Sequence, residues 1–512
     1  MWGCEDLFPF RVVLLADRMA KASVLDAIII GAGPSGLGAS IALSGYRPHY
    51  VPNCRLANSH LEKALKQHAG AALDLAAIRS APPLTGRSNN PLALLFDALL
   101  HPGVDEGWRG AQPCLELRRH NDAALSHLIL DHNPPGGQWH SMHDATRTLS
   151  PGPWMELPGY TLAQFLQEHR METRQRDAAS AAQMRQPRGL VADYYRKAAE
   201  HLGIATHHRP WRVTRVMAPA NATDTWTVLA DGSDAPLHAR NLVLAVGTYG
   251  LPTQLGVVGE GLPFVAHRTA QLSPTAQTVL VVGAGLSAAD CIVDLLRRGR
   301  TVIHVHRGAA DATKLWKFSA PHSARMYPEY HALVTAMAST PTGETTPLLG
   351  GTYSVFGQTE LTAIEQDGTC RVNVAAAAAA AVVGQGVRAN DAAGEAELSA
   401  EAIAILIGSS PDLSFLPSSV QEAIADAGPP SRVSERGVAA THKVFLDVEP
   451  FTMETRAVAS LFALGPLRGD NFCRFAIHDG HGVAEAIRMR AAAVAVDEGT
   501  QAACPASADG GK

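Results

Sequence analysis

The sequence predicts an α/β protein with two Rossmann-like dinucleotide-binding domains (FAD/NAD(P)-binding fold), the second inserted into the first. Two glycine-rich turns and the strands that feed them carry that prediction. The first turn is Gly31-Ala32-Gly33-Pro34-Ser35-Gly36, directly after the apolar run Ala27–Ile30. The second is Gly283-Ala284-Gly285-Leu286-Ser287-Ala288, directly after Val279–Val282. Each is strand, turn, then helix, the context that gives a dinucleotide fingerprint its meaning. One such turn suggests one dinucleotide. Two suggest that two dinucleotides meet, as when a nicotinamide passes a hydride to a flavin.

Composition sets the frame. The chain has 512 residues, suited to two or three domains. It is 46% hydrophobic and 18% charged, which is globular and allows a large core. The net charge is −5, and no basic stripe argues for nucleic acid. The seven cysteines (Cys4, Cys54, Cys114, Cys291, Cys370, Cys473 and Cys504) are scattered and hold no C-x-x-C pair. That is a poor disulfide framework and reads as a reducing, cytoplasmic compartment. The start carries Glu5 and Asp6, unlike the basic end of a signal peptide. No run reaches the ~18–20 apolar residues of a membrane span. The alanine-rich run Val374–Val383 is too short and reads as a compositional expansion. No spacing suggests a metal site.

The domains follow from the two turns. Residues 1–24 read as a poorly ordered leader and 496–512 as a disordered tail. Residues 25–255 and 430–495 are expected to form an FAD-binding domain, with 46–125 as an insertion, and 256–429 an NADPH-binding domain. The first helix, from Pro34, is closed by Gly45 and Pro48. The insertion holds an amphipathic helix, Pro91–Leu100, after the turn-like Gly86–Asn90. Strands are expected at His127–Leu130, Trp211–Val216, Trp226–Leu229 and Asn241–Val246. In the second domain a helix Leu286–Arg298 leads to a strand Val302–Val305, then to an irregular stretch 310–350 and several strands to Ile407. The last ordered part is a strand Ser460–Leu464, a loop Gly465–Asn471 and a helix from Gly480.

The chemistry sits at the strand ends. Gly31, Gly33 and Gly36 suit a tight turn, close approach to a pyrophosphate and close helix–strand packing. Pro34 and Ser35 open the helix whose N-terminus would face the phosphates. A Rossmann site also wants an acid after its second strand. His49–Asn53 offers none. Asp131 does, directly after His127–Leu130 and before Gly136-Gly137; it reads as the adenosine-ribose ligand or as a plain surface carboxylate. In the second turn Ala288 replaces the third glycine. Asp290 reads as a first-turn helix charge. Arg307 follows strand Val302–Val305 with no acid competing, so it suits the 2′-phosphate of NADPH; the alternative is a solvated arginine. Gly247 and Thr248 end one buried strand, and Gly408 and Ser409 end another. Gly469, Asp470 and Asn471 precede the last helix, and an aspartate there can bond the flavin ribityl chain or phosphate.

Gly283-x-Gly285-x-Ser287, Ala245-x-Gly247-Thr248 and Gly136-Gly137-x-Trp139 resemble class B flavin monooxygenases. Longer strings resemble the oxidative stress-induced growth inhibitor family. They are Gly31–Gly45 with Tyr46-Arg47-Pro48, Pro91–Leu100, Trp139-His140-Ser141, Tyr327–His331, Leu406–Pro417, Gly465-Pro466-Leu467 and Gly469–Phe472, spread over residues 26–490. The resemblance implies FAD, NADPH and O₂ as cofactors and co-substrate, a small-molecule substrate, and a link to growth control and cytokinesis. The monooxygenase signature ahead of the second turn is out of register: the region reads Gly259–His267. His267 reads either as a residue that helps arrange NADP or as a satisfied loop histidine. No catalytic residue is assigned.

The expectation is an NADPH-consuming flavin monooxygenase. The alternative is a regulatory flavoprotein with little turnover, its partner surface at 46–125 or around Tyr327–Tyr330. A disulfide reductase of the same architecture lacks its electron-accepting C-x-x-C.

Overall fold

The computed structural model describes residues 24–52, 56, 58–66, 70–75, 84, 86–108, 111–169, 177–221, 224–374, 389–390, 394–426 and 445–502. Most of the expected leader and of the alanine run lies outside them, as does the expected tail from 503; residues 496–502 of that tail instead continue the last helix. The chain divides into two compact units. Unit 1 draws on Met1–Ser141, Arg147–Gly247 and Pro411–Lys512, and unit 2 on Met142–Thr146 and Thr248–Ser410. The breaks at 247/248 and 410/411 differ from the 255/256 and 429/430 read from sequence. The reason is local: Leu251–Pro252 and Ser409–Ser410 pair antiparallel, so both ends of unit 2 close on each other early.

Unit 1 is built on a seven-stranded sheet. β1 (Leu25–Ile30) lies parallel between β4 (His127–Leu130) and β8 (Leu237–Leu244). β5 (His208–Arg209) extends the sheet beyond β4. β6 (Arg212–Met217) and β7 (Trp226–Asp231) form an antiparallel meander onto β8, and Leu461–Ala463 joins β8 in parallel. β1 is apolar at every core position because a parallel strand is covered on both faces; Ala27, Ile28 and Ile29 are fully buried. The stretch between the first helix and β4 starts and ends in its own two-stranded ribbon, β2 (Tyr46–Tyr50) against β3 (Leu115–Arg119). β4, not β2, therefore neighbours β1.

Helix α1 (Pro34–Leu43) follows the first turn, and its residues from Ser35 to Leu43 are buried. It is crossed at close range by the C-terminal helix α5 (Asp479–Ala502). An added Cβ on Gly38 would strike the Ile477 carbonyl, and one on Gly480 would strike Ala39. Helix α2 (Pro91–Leu100) is buried on nearly every side, not on one amphipathic face. Its one charge, Asp97, is met by Arg474 Nη2 at 2.6 Å.

Unit 2 is built on a six-stranded sheet. β9 (Thr278–Val282), the strand of the second turn, lies parallel between β10 (Thr301–His306) and Ala402–Ile405. Val265–Ala266 continues one side; on the other, Gly351–Gly357 and the antiparallel edge strand Thr345–Leu348 complete it. Helix α3 (Leu286–Arg297) follows the turn. A separate antiparallel sheet of four strands carries Thr359–Ile364, Thr369–Val374 and Glu395–Ser399. The stretch 310–350 is not irregular throughout: helix α4 (Pro328–Ser339) runs through it. Tyr330 is 2% exposed and belongs to the core, whereas Tyr327 is half-buried and Met326 and Pro328 are exposed. Among the described residues no helix is long and apolar enough to cross a membrane.

One cysteine expectation fails. Cys114 is disulfide-bonded, whereas Cys291, Cys370 and Cys473 are free. The backbone at Cys114 also accepts from Val51 N at 2.9 Å, where the β2–β3 ribbon opens.

Candidate functional site

The two glycine turns have the same construction. Gly31 has φ +110° and Gly283 φ +124°, both in the region that favours glycine. An added Cβ would drive Gly31 into the Ala245 carbonyl and Gly283 into the Leu406 carbonyl. At the second glycine the space is open instead: no atom lies within 4 Å of an added Cβ on Gly33 or Gly285. Both are helix N-caps without a side-chain cap, so the first N–H groups of α1 and α3 keep no side-chain partner there. An anion fits such a place. At the third position Gly36 presses on Gly31, while Ala288 in unit 2 is accommodated fully buried. Ser287 is exposed on the first turn of α3. Asp290 is not in that first turn; it accepts from Tyr330 Oη at 2.5 Å.

The residue facing each turn differs between the units. Gly31 N donates to Leu130 O and Gly283 N to Val305 O, both at 2.9 Å. The next residue is Asp131 in unit 1 and His306 in unit 2. Asp131 Oδ2 accepts from Ala32 N at 2.8 Å and Oδ1 from Asn133 N at 2.8 Å. His306 is buried, its Nδ1 2.7 Å from Gly308 O, and burial holds its pKa below the usual imidazole value. Arg307, one residue on, is exposed and has no ion pair among the described residues. His304, two residues earlier on the same strand, is fully buried with Nε2 2.7 Å from Gly283 O and Nδ1 2.8 Å from Tyr353 Oη. Burial pushes its pKa down to about 3, so it is a neutral brace for the turn.

Three further loops of unit 1 converge on the first turn. Gly136 N donates to Ala32 O at 2.8 Å, and an added Cβ on Gly137 would sit 2.8 Å from Gly33 N. Trp139 is partly buried against the core beside them. Ala245 packs on Gly31 and Gly36, two residues before Gly247. Gly465 lies against Ser35, and the loop it opens holds Gly469 and Asp470. Asp470 is 7% exposed; Oδ1 accepts from Ser88 Oγ at 2.6 Å, and Oδ2 is buried with no hydrogen-bond partner among the described residues. Asn471 is exposed and bonds Gly469 O of its own loop at 3.0 Å. An open face at Gly33, an uncapped helix and an unpartnered carboxylate oxygen are what a phosphate-and-polyol ligand would complete.

Two expected residues have partners of their own. Thr248 falls in unit 2, where its carbonyl accepts from Ser409 Oγ at 2.7 Å. His267 Nε2 is 2.9 Å from Glu260 Oε1, which also accepts from Leu255 N. His267 is thus a partnered loop histidine. Residues not foreseen are Ser88, Asn90 and Asp479. Asn90 Nδ2 donates to Asp479 Oδ1 at 2.6 Å, and Asp479 Oδ2 accepts from Gly465 N at 2.8 Å. Only the turn-like composition of Gly86–Asn90 before Pro91 hinted at the first two.

Comparison with known proteins follows the same lines. The pyridine nucleotide-disulphide oxidoreductase family model matches residues 119–337. The fold is similar to that of bacillithiol disulfide reductase from Staphylococcus aureus: 15% identity, 91% of this chain and 98% of that one, TM-score 0.52. It is also similar to the reduced form of ornithine hydroxylase from Pseudomonas aeruginosa: 14% identity, 91% and 100% covered, TM-score 0.52. Both likenesses concern the fold alone. Oxidative stress-induced growth inhibitor 1 of Mus musculus is 32% identical over 483 residues, covering 89% of this chain and 93% of that protein. The human protein of the same name is 31% identical, with the same coverage. The chain belongs to the oxidative stress-induced growth inhibitor family.

Proposed function

We propose that this chain is an FAD-dependent, NADPH-consuming oxidoreductase that uses O₂ to oxygenate a small molecule. The observation that carries the flavin reading is the buried, unpartnered Oδ2 of Asp470, on a loop that reaches Ser35 of the first glycine turn. Gly31–Gly36 would hold the pyrophosphate, Asp131 the adenosine ribose, and Asp470 a ribityl hydroxyl. Gly283–Ser287 would hold the pyrophosphate of NADPH. Arg307 would pair with the 2′-phosphate, and His306 at the neighbouring position leaves no carboxylate to repel it.

Bound FAD would supply hydride acceptance from NADPH and the activation of O₂. The balance is one NADPH, one proton and one O₂ consumed for one oxygen atom transferred and one water released. The protein's part is binding and orientation. The glycine turns fix the phosphates, and the carboxylates fix the sugar chains. The Glu260-bound His267 would hold a loop of unit 2 without touching the reaction.

The names of the relatives carry growth inhibition under oxidative stress; for this chain such a role, acting in the cytoplasm, belongs to the proposal. The out-of-register signature over Gly259–His267 favours a second reading, a regulatory flavoprotein with little oxygenation. NADPH oxidation measured with and without candidate nucleophiles and ketones separates the two. Substrate-dependent consumption with labelled oxygen in the product supports oxygenation. NADPH loss matched by hydrogen peroxide whatever is added contradicts it.

A further inference from the structure

The turn Ser88–Asn90 grips both ends of the loop that carries Asp470. Ser88 Oγ donates to Asp470 Oδ1 at 2.6 Å across 382 positions of sequence. The same oxygen accepts from Asn90 N at 3.0 Å. Asn90 caps helix α2 through Leu92 N at 3.0 Å and donates to Asp479 Oδ1 at 2.6 Å. Asp479 Oδ2 in turn holds Gly465 N, where the loop begins. Ser88, Asn90, Asp470 and Asp479 are all buried.

The charges explain why the gripping group is neutral. Two buried carboxylates, Asp470 and Asp479, repel each other, and the guanidinium of Arg468 meets Asp479, its Nη1 3.4 Å from Oδ1. Burial pushes the Asp479 carboxyl up to about 6 against the pull of Arg468. A third acid would add repulsion. A hydroxyl adds a donor without charge. With Oδ1 of Asp470 occupied by that donor, Oδ2 is the oxygen left without a partner.

We propose that Ser88 is the positioning residue of the flavin site: its hydroxyl fixes the rotation of the Asp470 carboxylate so that Oδ2 stays available to a cofactor hydroxyl. The inference rests on the reading that Asp470 binds the flavin. Alanine at 88 removes the donor, whereas threonine keeps it.

The test is a titration of FAD into full-length apoprotein, followed by quenching of flavin fluorescence, with apoprotein melting curves recorded in parallel. Ser88→Ala is expected to weaken FAD by about tenfold, and Ser88→Thr to restore wild-type affinity. In an Asp470→Asn background, Ser88→Ala should add little, because the two act as one unit. Unchanged affinity in Ser88→Ala, or failure of threonine to rescue, overturns the inference. So does a Ser88→Ala effect that persists in full beside Asp470→Asn, which leaves Asp470 as a flavin ligand. Wild-type affinity in Asp470→Asn alone sinks the underlying reading as well. If Ser88→Ala does not fold, Ser88→Cys is used, whose thiol is a weak donor of similar size: a measurable loss supports the inference, and none overturns it.

Discussion

The amide of Ala32 donates to Asp131 Oδ2 at 2.8 Å while Asn133 N donates to Oδ1 at 2.8 Å. The carboxylate thus ties the first glycine turn to the end of β4 and still has lone pairs for a sugar hydroxyl. An asparagine cannot do this, because its NH₂ must face one of the two donors. Asp131→Asn is expected to lower the melting temperature and to weaken FAD by about ten- to a hundredfold, the range of a charged hydrogen bond. Unaltered FAD binding would remove Asp131 from the cradle.

The glycines of the first turn should separate by substitution. Gly33 has φ −71° and open space at its Cβ position, so Gly33→Ala should fold like the wild type. Its methyl would occupy the phosphate's place, and FAD affinity should fall steeply. Gly36→Ala meets the Gly31 carbonyl and should cost about 1–3 kcal/mol of stability, the usual cost of overpacking. Thermal melts beside FAD titrations decide it: a destabilised Gly33→Ala that keeps FAD would contradict the assignment.

Arg307 is exposed, without an ion pair among the described residues. Truncating it should therefore cost little stability. Arg307→Ala should weaken NADPH by about ten- to a hundredfold through the lost charged hydrogen bonds, and leave NADH nearly unchanged. Equal loss for both nucleotides would cancel its role at the 2′-phosphate.

His304 sets a pH dependence with a definite sign. Its folded pKa is depressed to about 3 by burial, so the unfolded chain takes up the proton first. The stability it contributes is present above about pH 6.5, the free imidazole value, and is lost as pH falls toward 3. His304→Gln cannot titrate and should show a shallower fall of denaturation midpoint between pH 6.5 and 4. Equal slopes in the two proteins would mean that His304 is not buried neutral.

What was legible in the sequence was local. A glycine turn after an apolar strand declares itself because only glycine fits Gly31 and Gly36, and Asp131 and Arg307 were legible as the charges just past a strand. Contacts made at long range were not. Nothing near Ser88 names Asp470 as its partner, and nothing near Asn90 names Asp479. Helix α2 looked amphipathic because Asp97 interrupts its apolar run, but Arg474 neutralises that charge inside the core. Helix α4 was missed although Tyr330, Leu333, Val334 and Met337 line one buried face at helical spacing, because the turn-like residues around it hid that short stripe. The disulfide at Cys114 was hidden by the odd, scattered cysteine count.

The central claim of the proposed function is that this chain binds FAD and NADPH and passes electrons from NADPH to the flavin. It is tested most directly by the visible spectrum of the purified protein, supplied with FAD and titrated anaerobically with NADPH. The account predicts a flavin spectrum that persists through gel filtration and bleaches stoichiometrically with NADPH. A colourless protein that retains no FAD, or a bound flavin that NADPH leaves oxidised, would contradict it.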